Sequence, residues 1–271
     1  MTPRVRAPAV AGRFYPADAA GLERGVEALL GAEAAPPESA LAVMVPHAGY
    51  AYSGAIAGAT FARVRVPARA VVLCPNHTGV GASRALWASG IWELPGGAIE
   101  VDAELGERLS IEAGVVDDPR AHLGEHAIEV ELPLLRARRA DVKLTPLVLG
   151  RLPLAACHEV GEGLARAIDE VGRDQVLVVA SSDLSHYVSA ERAAELDRLA
   201  LARVEALDPD GLYEVVGREH LSMCGFIPVT VMLVAARALG ATRATLVRYG
   251  HSGEVTGDRS RVVGYAGVVI A

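Results

Sequence analysis

Val176-Leu177-Val178-Val179-Ala180 is apolar at every position, and it runs directly into Ser181-Ser182-Asp183-Leu184-Ser185-His186. A strand with one wet face alternates apolar and polar residues. A strand apolar on both faces lies inside a sheet covered by helices on each side. Two other runs repeat the arrangement. The apolar run 41–45 stops at Pro46-His47-Ala48-Gly49-Tyr50, and the run 70–74 stops at Pro75-Asn76-His77-Thr78-Gly79. Helical periodicity fills the intervals. Asp18 stands where it can cap a helix whose apolar face is Leu22, Val26, Leu29 and Leu30. Residues 53–64, rich in small side chains, read as a tightly packed helix, and further helices are predicted over 103–113, 128–139, 154–171, 190–207 and 227–239. Strands are predicted over 142–149, 245–249 and 262–270. Residues 85–101 read as two or three short strands around a turn at Pro95-Gly96-Gly97. Alternating strands and helices define an α/β fold, with a mixed, largely parallel central sheet flanked by helices.

One domain over residues 1–271 is expected. There is no repeat or low-complexity segment, and the loosest stretch, 31–39 with Pro36 and Pro37, is too short to separate two folds. With 51% hydrophobic and 22% charged residues, the composition excludes a disordered chain. A net charge of −7 argues against a nucleic-acid partner. The longest apolar stretch, 226–236, is too short to span a bilayer and contains Pro228 and Thr230, so no membrane association is expected. The first residues, Met1 to Pro8, lead into no apolar targeting segment. Cys74, Cys157 and Cys224 are odd in number and scattered, which points to a reducing, cytoplasmic compartment rather than a disulfide framework.

In an open α/β sheet, ligands bind beyond the carboxyl ends of the strands. Parallel strands would therefore bring His47, His77, Asp183 and His186 to one edge. Imidazoles and carboxylates gathered there suit a divalent transition metal. Tight turns account for Gly49 and Gly79 but not for a histidine at each strand end. Cys224, in Ser222-Met223-Cys224-Gly225-Phe226, stands at a helix start, a position that lowers a thiol pKa. Metal ligand, nucleophile and buried filler are all open for it, whereas Cys74 and Cys157 read as core. His122-Leu123-Gly124-Glu125-His126 matches the H-x-x-E-H zinc-protease pattern, but Gly124 disfavours the helix that the pattern needs. Glu125 and His126 read instead as pocket residues just ahead of the helix 128–139. Asp183 and His186 are expected to face one pocket if their segment opens into a helical turn. His186 would be the acid/base, its tautomer fixed by Asp183 or Glu125. The alternatives for His186 are a cap on the helix 190–207 and a further metal ligand. There is no G-x-x-x-x-G-K-[ST] loop, and no G-x-S-x-G elbow surrounds Ser182, which argues against a P-loop phosphotransferase and a serine hydrolase.

These motifs resemble the Memo family ("mediator of cell motility"), whose bacterial and archaeal members are called AmmeMemoRadiSam system protein B. The resemblance covers nearly the whole chain. It opens with Arg6-Ala7-Pro8-Ala9-Val10-Ala11-Gly12-Arg13-Phe14-Tyr15-Pro16 and continues through the His47, His77, Glu125-His126 and Asp183–His186 segments. It closes with Met223-Cys224-Gly225, Ser252-Gly253-Glu254 and Val262-Val263-Gly264-Tyr265. The resemblance implies a fold similar to class III extradiol dioxygenases, which are non-haem iron enzymes. It assigns His47 and His77 as metal ligands, Cys224 as the family's pocket cysteine, and Asp183 and His186 as further polar pocket residues. The related dioxygenases complete their site with a glutamate; here Cys224 takes that place, a softer and oxidisable ligand, which argues against ring cleavage. The resulting expectation is an iron- or copper-dependent redox or oxygen-using enzyme. It would hold a small molecule or peptide in the pocket and have partners from the AmmeMemoRadiSam system. A zinc hydrolase with Asp183 or His186 as base and a non-enzymatic peptide-binding protein are the competing readings.

Overall fold

The strands, in chain order, are β1 (Val5–Arg6), β2 (Ala42–Val45), β3 (Arg69–Pro75), β4 (Arg84–Leu86), β5 (Ile91–Leu94), β6 (Gly97–Glu100), β7 (Val116–Asp117), β8 (Lys143–Leu149), β9 (Val176–Ser181), β10 (His186–Val188), β11 (Ala244–His251) and β12 (Val262–Ile270). The helices are α1 (Ala19–Leu30), α2 (Ala55–Arg63), α3 (Ala103–Glu112), α4 (Leu132–Arg138), α5 (Leu154–Val171), α6 (Ala190–Glu205), α7 (Pro209–Arg218), α8 (Phe226–Ala238) and α9 (Gly253–Thr256). These come from a computed structural model that describes residues 4–31 and 36–271. The first residues of the chain and part of the loose stretch 31–39 lie outside the described residues.

The main sheet runs β10-β12-β2-β9-β3-β8-β4-β7, with β11 also paired to β12. Its centre, β2-β9-β3-β8, is parallel, and β12 and β4 close onto it antiparallel. Val45 lies opposite Ser181, and Leu73 opposite Ala180. The strands that lead to His47, Asp183 and His77 are therefore three neighbours with a common carboxyl edge. Within 85–101, β5 and β6 form the expected hairpin, but they join β1 in a separate small sheet.

Every residue of β2 and β9 is buried. Strand alternation sends Met44, Leu73 and Val178 into one core layer, against α3, α5, α7 and α8. Val43, Val45, Val72 and Val179 enter the other, against α1, α2 and α4. The chain is thus a single α/β domain with helices on both faces. Helix α8 is buried along nearly its whole length, from Ile227 to Ala236, so it is apolar all round because it is a core helix. Among the described residues no helix is long and apolar enough to cross a membrane.

Asp18 caps α1 as expected, its Oδ1 accepting the Gly21 N–H at 2.7 Å. The helix read at 53–64 starts earlier, in a π-helical turn over Tyr50–Gly54. The one read at 128–139 starts as a 3-10 turn, Glu129–Glu131. Two expectations are corrected. Asp183 and His186 do not share a helical turn: His186 begins β10, which pairs with β12. Nor does His186 cap the next helix. Ser189 does, its Oγ accepting the Arg192 N–H at 3.2 Å.

Candidate metal centre

His47 leaves β2 at the edge where β9 ends. Its backbone N–H donates to Asp183 Oδ1 at 2.9 Å, and its ring Nδ1 lies 2.8 Å from Ser181 Oγ. The Ser181 hydroxyl donates to the Ala127 carbonyl at 2.8 Å. Its one proton is used there, so it accepts from the ring. That places the imidazole proton on Nδ1 and leaves Nε2 as a lone-pair donor. Burial, and then the charges of His77, His126 and His186, hold the His47 pKa well below its ordinary value, so the ring is neutral.

His77 follows β3 and is held by Glu125. The His77 N–H donates to Oε2 at 2.7 Å and ring Nδ1 to Oε1 at 2.9 Å, again leaving Nε2 free. Burial opposes charge on this ring, but the Glu125 bond outweighs it and raises the His77 pKa. Glu125 itself is kept below the ordinary carboxylate range: burial works against its charge, and His77 with two backbone N–H groups overcomes that.

Cys224 arrives from a distant segment. Its Sγ lies 3.3 Å from His47 Nε2, and it accepts the Asp183 N–H at 3.3 Å. Gly225 lets it come this close, because a Cβ there would run into the Ser181 carbonyl and the Ser182 side chain. The expectation of a lowered thiol pKa is overturned. Burial, followed by the Asp183 charge, pushes the thiol up and outweighs the effect of the helix start.

Donor atoms of His47, His77 and Cys224 all lie within 4.8 Å of one another. A tetrahedral ion bound at 2.0–2.3 Å needs donors roughly 3.3–3.8 Å apart, so the set fits a metal with little movement. Two imidazoles and a thiol suit iron, copper or zinc and not magnesium or calcium. His77, Glu125 and His126 form a second donor group. There, however, the Glu125 oxygens already accept from His77 N and Nδ1, His126 N and Ala127 N. Glu125 is thereby an organiser of the histidines. His126 stacks on His77 with ring centroids 4.8 Å apart and meets the His47 ring edge-on at 5.4 Å, so it lines the pocket.

Asp183 reaches the site and holds the backbone of His47, and burial raises its pKa. His186 stands outside the donor groups, yet its charge acts on both His47 and Asp183. Its Nδ1–H donates to the Leu184 carbonyl at 2.8 Å, so neither Asp183 nor Glu125 fixes its tautomer. Nε2 is left free to accept a proton. The H-x-x-E-H pattern divides. Glu125 and His126 face the pocket, while His122 is buried between Trp87 and Trp92 and donates from Nε2 to the Ala85 carbonyl at 3.1 Å.

The supports beneath the site are absent from the sequence reading. Arg6, fully buried, donates to the carbonyls of His122 (3.0 Å) and Glu125 (2.6 Å) and to Glu129 Oε2 (2.5 Å). Its guanidinium stacks 4.2 Å over Trp92. Glu129 also accepts from the Ala9 and Val10 N–H groups and the Tyr15 hydroxyl. The N-terminal arm is thus tied under the turn that carries Glu125. The one signal in the sequence is a glutamate inside the apolar run Ile128-Glu129-Val130; nothing local pairs it with Arg6.

Fold and site together define an α/β protein with a histidine–cysteine pocket at the carboxyl edge of its parallel strands. The chain belongs to the Memo family: the profile of the Memo-like proteins matches residues 6–269. A MEMO1 family protein of Methanothermobacter thermautotrophicus is 40% identical over 274 residues, covering 97% of this chain and 99% of that one. One from Aquifex aeolicus is 40% identical over 268 residues, covering 98% and 99%. Among solved structures, an uncharacterized protein of Escherichia coli K12 shares the fold, with a TM-score of 0.53 at 16% identity over 85% of this chain and 99% of that one.

Proposed function

We propose that this chain is a metal-dependent redox enzyme that uses iron or copper held by His47, His77 and Cys224. One observation carries the reading: three soft or borderline donors from three separate segments converge within 4.8 Å. Both rings have their Nδ1 committed, to Ser181 and to Glu125, which aims each Nε2 inward. A bound ion would supply Lewis acidity and an accessible redox couple. The chain's own groups do the rest. Asp183 fixes the His47 backbone, and the Nε2 of His186, left free by the bond from Nδ1 to the Leu184 carbonyl, takes or returns a proton. His126 walls the pocket. The three free cysteines suit a reducing cytoplasm. Family resemblance makes AmmeMemoRadiSam proteins the candidate partners, with a small molecule or peptide as the pocket's ligand.

Metal analysis of protein purified without oxygen tests this. Stoichiometric iron or copper, with oxygen uptake by the reduced protein, is the expected result. Stoichiometric zinc without oxygen uptake replaces the redox reading with a hydrolytic one, in which His186 or Asp183 serves as base. Partner binding that survives metal removal in a protein with neither activity supports the non-enzymatic reading.

A further inference from the structure

One buried carboxylate near His186 has no part in the donor set. Asp197, 2% exposed on α6, faces the segment that joins Asp183 to His186. Its Oδ1 accepts the Ser185 N–H at 2.9 Å, and its Oδ2 accepts the Tyr249 hydroxyl at 2.8 Å. Gly264 on β12 makes this approach possible, because a Cβ there would run into Oδ2. Burial works against a charge at this place and raises the Asp197 pKa, while the Ser185 and Tyr249 bonds and the charge of His186 act the other way. A backbone N–H and a phenol, one on each oxygen, are the donors an ionised carboxylate needs.

The peptide that Asp197 holds is the one that His186 uses. The Ser185 N–H and the Leu184 carbonyl belong to a single planar peptide group. Its N–H donates to Asp197, and its carbonyl accepts the His186 Nδ1–H at 2.8 Å. Two hydrogen bonds therefore connect carboxylate and imidazole through one rigid plane. The bond to the charged acceptor is of the strong kind, and it polarises the carbonyl at the other end, so each bond reinforces the other. The flanking backbone is pinned to β12: the Leu184 N–H donates to the Gly264 carbonyl at 2.8 Å, and the Gly264 N–H donates to the Ser185 carbonyl at 2.9 Å. Ser222 Oγ holds the His186 backbone separately, accepting its N–H at 2.7 Å.

We propose that Asp197 is the positioning residue of His186. It orients the Leu184–Ser185 peptide, whose carbonyl keeps the imidazole proton on Nδ1 and so leaves the Nε2 lone pair available. A carboxylate that orients an acid/base histidine commonly meets the ring itself. Here a peptide group stands between the two, and Tyr249 holds the carboxylate from its other oxygen. This deepens the enzymatic reading and rests on it for the acid/base role of His186. The relay from Asp197 to the ring is independent of the metal.

The test uses the metal-free full chain, isotope-labelled at the histidine nitrogens, at a pH about two units above the ordinary histidine value, where imidazoles are neutral. NMR shifts of the two ring nitrogens then report the tautomer, and the His186→Gln spectrum assigns the signals. Wild type should hold the His186 proton on Nδ1. Asp197→Ala removes the acceptor of the Ser185 N–H and should move the tautomer ratio toward Nε2–H by about tenfold or more, the scale of one charge-assisted bond. Asp197→Asn keeps an oxygen for that N–H and should retain most of the wild-type ratio. Tyr249→Phe takes the donor from Oδ2 and should lower the melting temperature while keeping the tautomer, which separates positioning from a general loss of stability. If Asp197→Ala does not fold, Asp197→Ser, too short to reach the Ser185 N–H, is read in its place. A wild-type ring protonated mainly on Nε2, an unchanged ratio in the variant that lacks the acceptor, or an equal change in Tyr249→Phe overturns the proposal. Metal content is read separately on wild type. Failure of His47, His77 and Cys224 to hold metal counts against the enzymatic reading, and the tautomer ratio alone decides the role of Asp197.

Discussion

Glu125 holds His77 at two points, its Oε2 taking the backbone N–H at 2.7 Å and its Oε1 the ring Nδ1–H at 2.9 Å. Both contacts are made to the ionised carboxylate, so the pair sets ring orientation and tautomer together. Glu125→Gln replaces one oxygen with an NH2 that faces N–H donors. Metal affinity should fall by roughly 10–100-fold, the usual cost of losing a carboxylate behind a ligating histidine. Competition with a chelator measures it, alongside circular dichroism to confirm folding. Wild-type affinity in a folded Glu125→Gln protein would remove Glu125 from the site.

Cys224 should differ in kind from the other two cysteines. Cys224→Ser exchanges a soft ligand for a hard one and should weaken iron or copper by more than the roughly 10–100-fold expected at Glu125. Cys74 and Cys157 are fully buried in the two core layers. A hydroxyl placed at either should cost about 1–3 kcal/mol of stability and leave metal content unchanged. Metal analysis and urea unfolding on the three variants separate the effects, and full metal retention by Cys224→Ser would end its role as a ligand.

The residues that come together at the metal centre were legible because each follows a feature of its own strand. An apolar run stopping at a histidine places His47 and His77 at a sheet edge, whatever the rest of the chain does. What orders those histidines was not legible. Ser181 and Glu125 act across 134 and 48 residues of sequence, and Arg6 meets Glu129 across 123. No local periodicity encodes such pairs. Helix α7 was missed although Asp208 caps it and Pro209 opens it, since its short apolar face, Leu212, Val215 and Val216, is interrupted by polar residues. The thiol of Cys224 was misjudged for a different reason. The helix-start effect is local and readable, whereas burial, the larger effect, exists only in the folded chain.

The Arg6–Glu129 pair should prove costly to break and cheaper to replace. Both side chains are essentially inaccessible to water. Arg6→Met leaves the Glu129 carboxylate buried without its cation and should cost about 3–5 kcal/mol. Adding Glu129→Gln should recover part of that loss, a non-additive result expected of groups in direct contact. Urea unfolding of the two single variants and the double variant completes the cycle. A single-variant cost below about 1 kcal/mol, or strict additivity, would show that the arm is held by packing alone.

His122 should make stability depend on pH in one direction. Its ring is buried between Trp87 and Trp92, and burial holds its pKa at about 4 against the ordinary 6.5. Between those two values the unfolded chain binds a proton that the folded chain does not, so stability rises with pH across the window. The contribution is complete above about 6.5, declines as the pH falls, and is exhausted below about 4. The gap from 6.5 to about 4 corresponds to roughly 3 kcal/mol. His47 and His126, also lowered by burial, add slopes of the same sign, so the measurement is a difference. His122→Gln can still donate toward the Ala85 carbonyl and cannot titrate. It should be less stable than wild type at pH 7 through lost packing, yet lose less on acidification. Urea midpoints at pH 7, 5.5 and 4.5 for both proteins give the two slopes, and parallel slopes would show that His122 is not the group that titrates.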